Sequence, residues 1–185
     1  MVAEIAKPQQ TEHYDRVTIA FHWLTALLVI VLFAMPLLWK FAPREWHLRW
    51  LEGVHVSLGI ALAAVLIGRL LWRLVAGRRL AAAGDAVTGP LSRIVHAGLY
   101  ALLAVQVGLG FAVRWLQGEE FSFFGLFSIP SLFASNRELA EELVDVHNLA
   151  GWALIVVAGG HAAAALYHQY VLKDRVLQRM LPSRG

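Results

Sequence analysis

The apolar stretch from Val146 to Leu172 constrains this chain more than any other feature, because it carries histidines. It runs for 27 residues without Asp, Glu, Lys or Arg, yet besides His168 near its end it contains His147 and His161. Ionisable side chains are costly inside a membrane-length segment, so two of them indicate a function. Fourteen helical residues advance about 21 Å and complete about four turns. One helix therefore offers two imidazoles on one face, at two depths.

The composition is typical of an integral membrane protein. Of the 185 residues, 58% are hydrophobic and 16% are charged, and the mean hydropathy is +0.59, which departs from the usual composition of soluble domains. The absence of cysteine excludes disulfides, iron–sulfur clusters, thiolate ligands and covalent c-type haem attachment. No basic run with interleaved aromatic residues occurs, so no nucleic-acid partner is predicted.

Four apolar segments are each long enough to cross a hydrocarbon layer of about 30 Å. The sequence predicts an all-α membrane protein, a four-transmembrane-helix bundle that forms a single domain over residues 1–185. We expect the helices at about 16–40, 49–75, 92–116 and 142–172. The connection between the last two is rich in phenylalanine, which favours either aromatics at the membrane interface or a short surface helix.

Charge asymmetry gives the expected orientation. The termini and the loop between the second and third helices, together with the flanking helix ends, carry 11 basic and 5 acidic residues, whereas the opposite side carries 5 basic and 8 acidic residues. Positive charge is enriched in the cytoplasmic loops of membrane proteins. We therefore expect both termini to be cytoplasmic.

This orientation assigns a depth to each intramembrane histidine. His22 lies near the start of the first helix, at the inner face, and His55 lies near the start of the second helix, at the outer face. Their depths match those of His161 and His147, respectively. Neutral imidazole is a good iron ligand, so each matched pair is predicted to clamp one iron from opposite sides.

A small residue follows each of these histidines four positions later, on the same helix face one turn along. These residues are Ala26, Gly59, Gly151 and Ala165. Small side chains there leave room for a porphyrin plane, which favours a flat, bulky cofactor over a bare ion. The glycines carry more weight than the alanines, since glycine weakens a helix interior. Close helix packing is the alternative explanation.

Arg69 and His96 are candidate partners of haem propionates. Arg69 lies 14 residues after His55, which places it on the same helix face at the depth of the inner pair. A buried arginine needs a counter-charge such as a propionate; alternatively its side chain snorkels to the inner surface. His96 has no histidine expected at its depth, and it is interpreted as a partner of a propionate or of the backbone rather than as a ligand.

His168 lies seven residues after His161, about 10 Å nearer the inner surface on the same face. Its imidazole is a candidate to bind a quinone carbonyl or to relay a proton to it. The alternative is anchoring at the interface together with Tyr167 and Tyr170.

Three sets of segments stand in order from about Tyr14 to Pro182. They are Tyr14–Arg16 with Phe21–Trp23, His55–Gly59 with Arg69, and His161–Ala165 with Lys173, Asp174 and Arg179–Pro182. Together they resemble the bacterial cytochrome b561 family. The resemblance implies a multi-pass protein of the bacterial inner (cytoplasmic) membrane with two haem b groups. It also implies one haem ligand from the first helix, one from the second and two from the fourth. The matching residues are His22, His55, His147 and His161.

Family members of this size resemble superoxide oxidases, which are membrane oxidoreductases that pass electrons from periplasmic superoxide through the haems to ubiquinone. The resemblance places the quinone-side histidine at His168. Superoxide is an anion, so local positive charge would attract it. The candidate cations are Lys40, Arg44, Arg49 and Arg114, on a side that is net acidic as a whole.

Two rival functions stay open beside an electron carrier between superoxide and membrane quinone. The first is a di-haem membrane-anchor subunit, an electron outlet for a partner oxidoreductase or a small periplasmic protein. The second is a haem-free proton-coupled transporter that uses the histidines as a relay. The small size of the chain and its lack of inverted repeats and intramembrane carboxylates argue against the transporter.

Overall fold

The computed structural model describes residues 13–39, 41, 43, 50–77, 80 and 88–182. Within them the chain forms four long helices, which are α1 (Arg16–Trp39), α2 (Glu52–Val75), α3 (Thr88–Gln117) and α4 (Arg137–Tyr167). Helix α4 continues into a π turn, His168–Leu172, and a 3₁₀ turn follows at Leu177–Met180.

The four helices are long and apolar enough to cross a membrane. Their outward faces expose large apolar side chains, such as Leu74 at 73%, Leu149 at 70% and Val156 at 69%. A protein surrounded by water rarely exposes apolar surface on this scale, whereas lipid covers it at no cost. The protein is therefore an all-α membrane protein with four apolar spans.

Two helices begin earlier than the apolar pattern predicted. Helix α3 starts at Thr88 rather than near residue 92, because Pro90 is tolerated in a first turn whose N–H groups have no helical acceptor. Helix α4 starts at Arg137 rather than near residue 142, and the side chain of Asn136 caps it by accepting a hydrogen bond from the Leu139 N–H at 3.1 Å. The predicted ends at residues 40 and 49 lie outside the described residues.

An apolar layer lies halfway along the bundle. Helix α1 packs along α2, and α3 packs along α4. Buried leucines from all four helices meet between them, namely Leu28, Leu62, Leu66, Leu103 and Leu154. In lipid such a layer stabilises the bundle through close packing rather than through release of water. It also separates the two ends of the bundle.

The start of the described chain and its last turn meet at one end of the bundle. The Tyr14 N–H donates to the Arg179 carbonyl at 3.0 Å, and the indole N–H of Trp23 donates to the Met180 carbonyl at 2.8 Å. The indole of Trp72, at the end of α2, donates to the Asp15 carboxylate at 3.0 Å. These bonds hold the beginning of α1, the end of α2 and the C-terminal segment together.

The connection between α3 and α4 contains a two-stranded hairpin rather than a short surface helix. Strand β1 (Phe121–Phe123) pairs antiparallel with β2 (Phe127–Ile129), with Phe121 opposite Ile129. The centre of the turn is formed by Phe124 and Gly125, with φ of 47° and 74°. This left-handed geometry is the one that tight hairpin turns require, although it is uncommon for phenylalanine.

Ser57 attaches this hairpin to α2. Its side chain is 2% exposed, and its hydroxyl donates to the Gly53 carbonyl at 2.8 Å while accepting from the Phe124 N–H at 3.0 Å. The Ser122 carbonyl lies 3.2 Å from the same hydroxyl. One buried hydroxyl therefore fixes the hairpin over the end of the bundle at which α2 begins.

Replacing Ser57 by alanine is expected to destabilise the protein by about 0.5–1.5 kcal/mol, because the Phe124 N–H loses its hydrogen-bond acceptor. The measurement is the unfolding midpoint in detergent, together with hydrogen exchange of the hairpin amides. Ser128→Ala is the control, because Ser128 lies exposed in the same hairpin. Equal midpoints and equal exchange in the two variants would contradict this role of Ser57.

Candidate functional site

Four histidines form two facing pairs, one on each side of the leucine layer. The ring centroids of His22 and His161 are 6.4 Å apart, and those of His55 and His147 are also 6.4 Å apart. The ring planes cross at 72° and 75°. We call His22 and His161 the inner pair and His55 and His147 the outer pair. These are the pairs that the depth calculation from the sequence predicted.

The spacing of both pairs fits one metal ion held between two imidazoles. With the zinc–imidazole bond as a guide, each nitrogen lies about 2.0–2.1 Å from the metal. The ring centre lies about 1.1 Å behind that nitrogen for ring bonds of about 1.33 Å, so two opposed rings have centroids about 6.3 Å apart. Two imidazoles are too few to hold iron alone. The donor set therefore fits an iron that brings its own equatorial ligands, as in haem.

A cavity of about 420 Å³ adjoins the outer pair and is lined by all four helices and by Phe121 of the hairpin. A Cβ atom built on Gly59 would meet nothing within 4 Å, so this glycine borders open space. A Cβ atom on Gly110 would lie 3.4 Å from the His147 ring, so this glycine lets the imidazole approach α3 closely. The cavity provides room for a flat group beside the two imidazoles.

Buried polar atoms without a partner are concentrated around this cavity. Among the described residues, six buried side-chain nitrogen or oxygen atoms lack a hydrogen bond, and five of them belong to residues that line it. The five are Trp39 Nε1, His55 Nδ1, Gln106 Oε1, Arg114 Nε and His147 Nδ1. Such atoms are rare in folded proteins and need an explanation. Their concentration here fits a site that is completed by a bound group.

Gln106 is a site residue that sequence reasoning missed. Its side-chain amide hydrogen-bonds to the His147 ring, with 3.1 Å between the two Nε2 atoms. A Cβ atom on Gly151 would lie 3.3 Å from the same amide nitrogen, so the small residue at 151 accommodates Gln106 as well as bordering the cavity. The available signal was an amide in the middle of α3, in a stretch without charged residues between His96 and Arg114, where polar side chains usually bond to another helix.

The inner pair has a third histidine beside it. The ring centroid of His96 is 5.1 Å from that of His161, and the His96 Nδ1 lies 3.3 Å from the Ser92 hydroxyl. The expectation that His96 has no histidine at its depth is therefore wrong. Because α3 begins at Thr88, His96 lies about two turns inside the helix rather than at its start.

Arg69 lies beside the inner pair. Its guanidinium is 5.0 Å from the centroid of the Tyr100 ring, a cation–π contact between α2 and α3. It also interacts electrostatically with His22 and His161. The contact with Tyr100 holds the cation next to the inner histidines.

His168 lies in the π turn that follows α4, where its Nδ1 is 2.5 Å from the Asp174 carboxylate. Its side chain is 21% exposed, whereas Tyr167 and Tyr170 are 53% and 71% exposed. The imidazole is therefore turned toward Asp174 rather than outward with the two tyrosines.

The predicted positive patch at the outer end is not found at Arg114. This guanidinium bonds to Glu52 at 2.5 Å and to Glu119 at 3.1 Å, and its side chain is only 16% exposed. Two carboxylates therefore offset its charge. The other three expected members, Lys40, Arg44 and Arg49, lie outside the described residues.

A four-helix membrane bundle with facing histidine pairs on both sides of an apolar layer has the architecture of a transmembrane cytochrome b. Sequence comparison agrees, since the family described as prokaryotic cytochrome b561 matches residues 13–183. The chain belongs to the prokaryotic cytochrome b561 family. It is accordingly a haem b protein of a prokaryotic membrane that functions in transmembrane electron transfer.

Three relatives match nearly their whole length. A protein of Yersinia pestis named probable superoxide oxidase CybB is 33% identical over 92% of this chain and 97% of its own. Cytochrome b561 homolog 2 of Escherichia coli strain K12 is 31% identical over 92% of each chain. Cytochrome b562 of Cereibacter sphaeroides is 28% identical over 95% of this chain and 99% of its own. The relatives therefore include both a named oxidase and proteins named only as cytochromes.

Proposed function

We propose that this protein is a di-haem superoxide:ubiquinone oxidoreductase of the inner membrane, which takes electrons from periplasmic superoxide and delivers them to membrane quinone. The observation that carries the proposal is the pair of histidine sites, each with centroids 6.4 Å apart, on opposite sides of an apolar layer. Two sites at two depths provide a path for electrons across a layer that the superoxide anion itself crosses at great cost.

The proposed ligands are His22 and His161 for the inner haem and His55 and His147 for the outer haem. When bound, each haem supplies an iron that accepts and gives up one electron. The protein's part is to fix the ring orientations, to exclude water and to keep the sites apart. His147 and His161 alone set that separation, about 21 Å along one rigid helix, and the leucine layer fills the space between the sites.

Arg69 and His96 are proposed to hold the propionates of the inner haem. Both lie beside the inner pair, on α2 and α3 respectively. Buried carboxylates require charge-assisted hydrogen bonds, and a guanidinium next to an imidazole offers them. At the outer site Gln106 is proposed to orient the ring of His147, because its amide contacts that ring directly. The bond occupies the Nε2 of His147 and leaves Nδ1 without a partner, and a partner on one ring nitrogen orients the other toward a metal.

The proposed orientation places both termini in the cytoplasm. The described ends of the chain meet at the end of the bundle that carries the inner pair, since Trp23, the neighbour of His22, bonds to Met180. In the sequence, the termini and the connection after α2, with the flanking helix ends, carry the excess of basic residues, which favours the cytoplasmic side. The outer pair, under the hairpin, then faces the periplasm, and a haem held by His55 and His147 would be the first to accept an electron.

Superoxide as the donor is supported by the relative named probable superoxide oxidase, which is 33% identical. We expect superoxide, generated enzymatically, to reduce the haems of the oxidised, detergent-purified protein. Superoxide dismutase should abolish this reduction, and ubiquinone added afterwards should reoxidise the haems. The measurement is the visible absorption spectrum. Haems that dithionite reduces but superoxide does not would contradict superoxide as the donor.

A second candidate function is a membrane anchor that passes electrons to or from a partner redox protein. The observation that favours it is the exposed apolar tip of the hairpin, where Phe124, Leu126 and Phe127 are 52%, 78% and 52% exposed. The hairpin is bound by Ser57, two residues after His55, so a partner docked on its tip would lie at the end of the bundle that carries the outer pair. Reduction of the haems by a co-purifying protein, in protein that does not react with superoxide, would favour this second function.

A further inference from the structure

The chain reverses direction directly after α4, at a segment whose backbone is unusual. The last helical turn widens into the π turn His168–Leu172, and the Lys173 N–H donates to the His168 carbonyl. Lys173 and Arg175 both have left-handed backbones, with φ of 58° and 60°. Side chains other than glycine disfavour this conformation, and π turns occur frequently at functional sites.

Because the chain reverses here, Asp174, which lies between the two left-handed residues, contacts His168. One carboxylate oxygen lies 2.5 Å from the His168 Nδ1, and the other accepts from the Val176 N–H at 3.3 Å. The carboxylate is thus held at both oxygens. Within the described part of the chain no residue hydrogen-bonds to the other ring nitrogen of His168, Nε2.

We propose that Asp174 is a positioning residue that orients His168 as the proton donor to quinone at the inner site, an inference that rests on the proposed function. A hydrogen bond at Nδ1 determines which protons the ring carries and where Nε2 is directed. In the ion-paired form both ring nitrogens carry a hydrogen. The Nε2–H is then available to a quinone oxygen, while Asp174 holds the opposite edge of the ring.

In the overall reaction, two superoxide ions become two dioxygen molecules and release two electrons. The quinone takes up these electrons together with two protons and becomes a quinol. The His168 imidazolium transfers one proton from Nε2 to a quinone oxygen and becomes neutral, keeping its Nδ1–H on the Asp174 carboxylate. Water at the inner surface supplies the second proton and reprotonates His168. Asp174 can admit this water to the pair, because its side chain is 36% exposed.

Asp174→Asn tests the proposal, because asparagine keeps the size of the side chain and an oxygen acceptor but removes the charge. The purified protein with its haems is reduced by dithionite, freed of excess reductant without air, and mixed with a ubiquinone that has a short tail. We expect haem reoxidation to slow about tenfold to hundredfold, less than the about 10²–10⁴-fold that a positioned proton donor contributes, because His168 itself is retained. The solvent deuterium isotope effect should rise, the KM for the quinone should change little, and Asp174→Glu should restore part of the rate.

Two comparisons exclude a merely structural effect. Asp145→Asn, an exposed carboxylate at the other end of α4, should reoxidise at the unmodified rate. His168→Ala and the double variant His168→Ala/Asp174→Asn should be equally slow, because Asp174 acts through His168. All variants should keep the haem content and the rate of haem reduction by superoxide.

The possible outcomes distinguish a failure of the role of Asp174 from a failure of the proposed function. Reoxidation of Asp174→Asn at the unmodified rate, loss of its inner haem, or a double variant slower than His168→Ala would each overturn the role of Asp174 and leave the proposed function standing. An unmodified protein whose reduced haems ignore the quinone would overturn the quinone step of the proposed function, and the role of Asp174 with it.

Discussion

Replacing His161 by alanine is expected to remove the inner haem and to leave the outer haem in place. His161 faces His22 at the spacing expected for an iron with both imidazoles as ligands. After the substitution only the His22 imidazole is left, and one ligand does not hold the haem as the pair does. The haem content should fall from two per chain to one, as measured by the pyridine haemochrome assay against protein concentration. His55→Ala should give the complementary result, and the spectra of the two variants should sum to that of the unmodified protein.

His96→Ala is the decisive control for this pairing. The ring of His96 is closer to His161, at 5.1 Å, than the ring of His22, at 6.4 Å. We nevertheless expect His96→Ala to retain both haems and His22→Ala to lose one, because only the longer distance leaves room for an iron between the rings. The reverse result would show that His96 is the ligand opposite His161.

Replacing Gly59 by leucine is expected to abolish binding of the outer haem without unfolding the protein. Gly59 borders the cavity beside the outer pair, and nothing lies within 4 Å of a Cβ atom built there. Leucine would fill the space that the macrocycle needs. Leucine also favours a helix over glycine by up to about 1 kcal/mol, so the helix itself should gain stability. Haem content and the unfolding midpoint without haem are the two measurements.

Gly108→Leu is the matched control for the cavity. Gly108 also has nothing within 4 Å of its built Cβ atom, but it is exposed on α3 and does not line the cavity. It should gain the same helical stability and keep both haems. If both variants lose haem equally, or if Gly59→Leu binds two haems, the cavity beside the outer pair is not the haem site.

The helices and the pairing of the four histidines could be predicted because both depend on quantities that are local in sequence. A helix inside a membrane converts sequence distance into depth at a fixed rise, so His55 is matched with His147 without any knowledge of packing. The apolar pattern also located all four helices. It placed the starts of α3 and α4 too late, because the first turn of α3 contains a proline and that of α4 contains charged residues, so neither turn continues the apolar pattern.

The features that could not be predicted from the sequence all depend on how the helices and the hairpin are placed next to one another across the bundle. Depth did not reveal that the Gln106 amide reaches the His147 ring, because that contact requires the rotation of α3 about its own axis. To predict that His96 lies beside His161, one would need to know where α3 actually starts. The hairpin was not predicted because its turn uses Phe124 in a left-handed conformation, and the Ser57 hydroxyl, a distant residue on α2, is what holds it.

The sequence by itself thus determined that this protein crosses a membrane four times and carries histidines matched in depth, because hydropathy and helical rise act along one chain. Only the tertiary structure decided the separations across the bundle. These are the 6.4 Å between the rings of each pair, the cavity beside the outer pair and the return of Asp174 onto His168. Such distances depend on how helices rotate against one another and where a loop closes, and interactions between segments far apart in the chain set both.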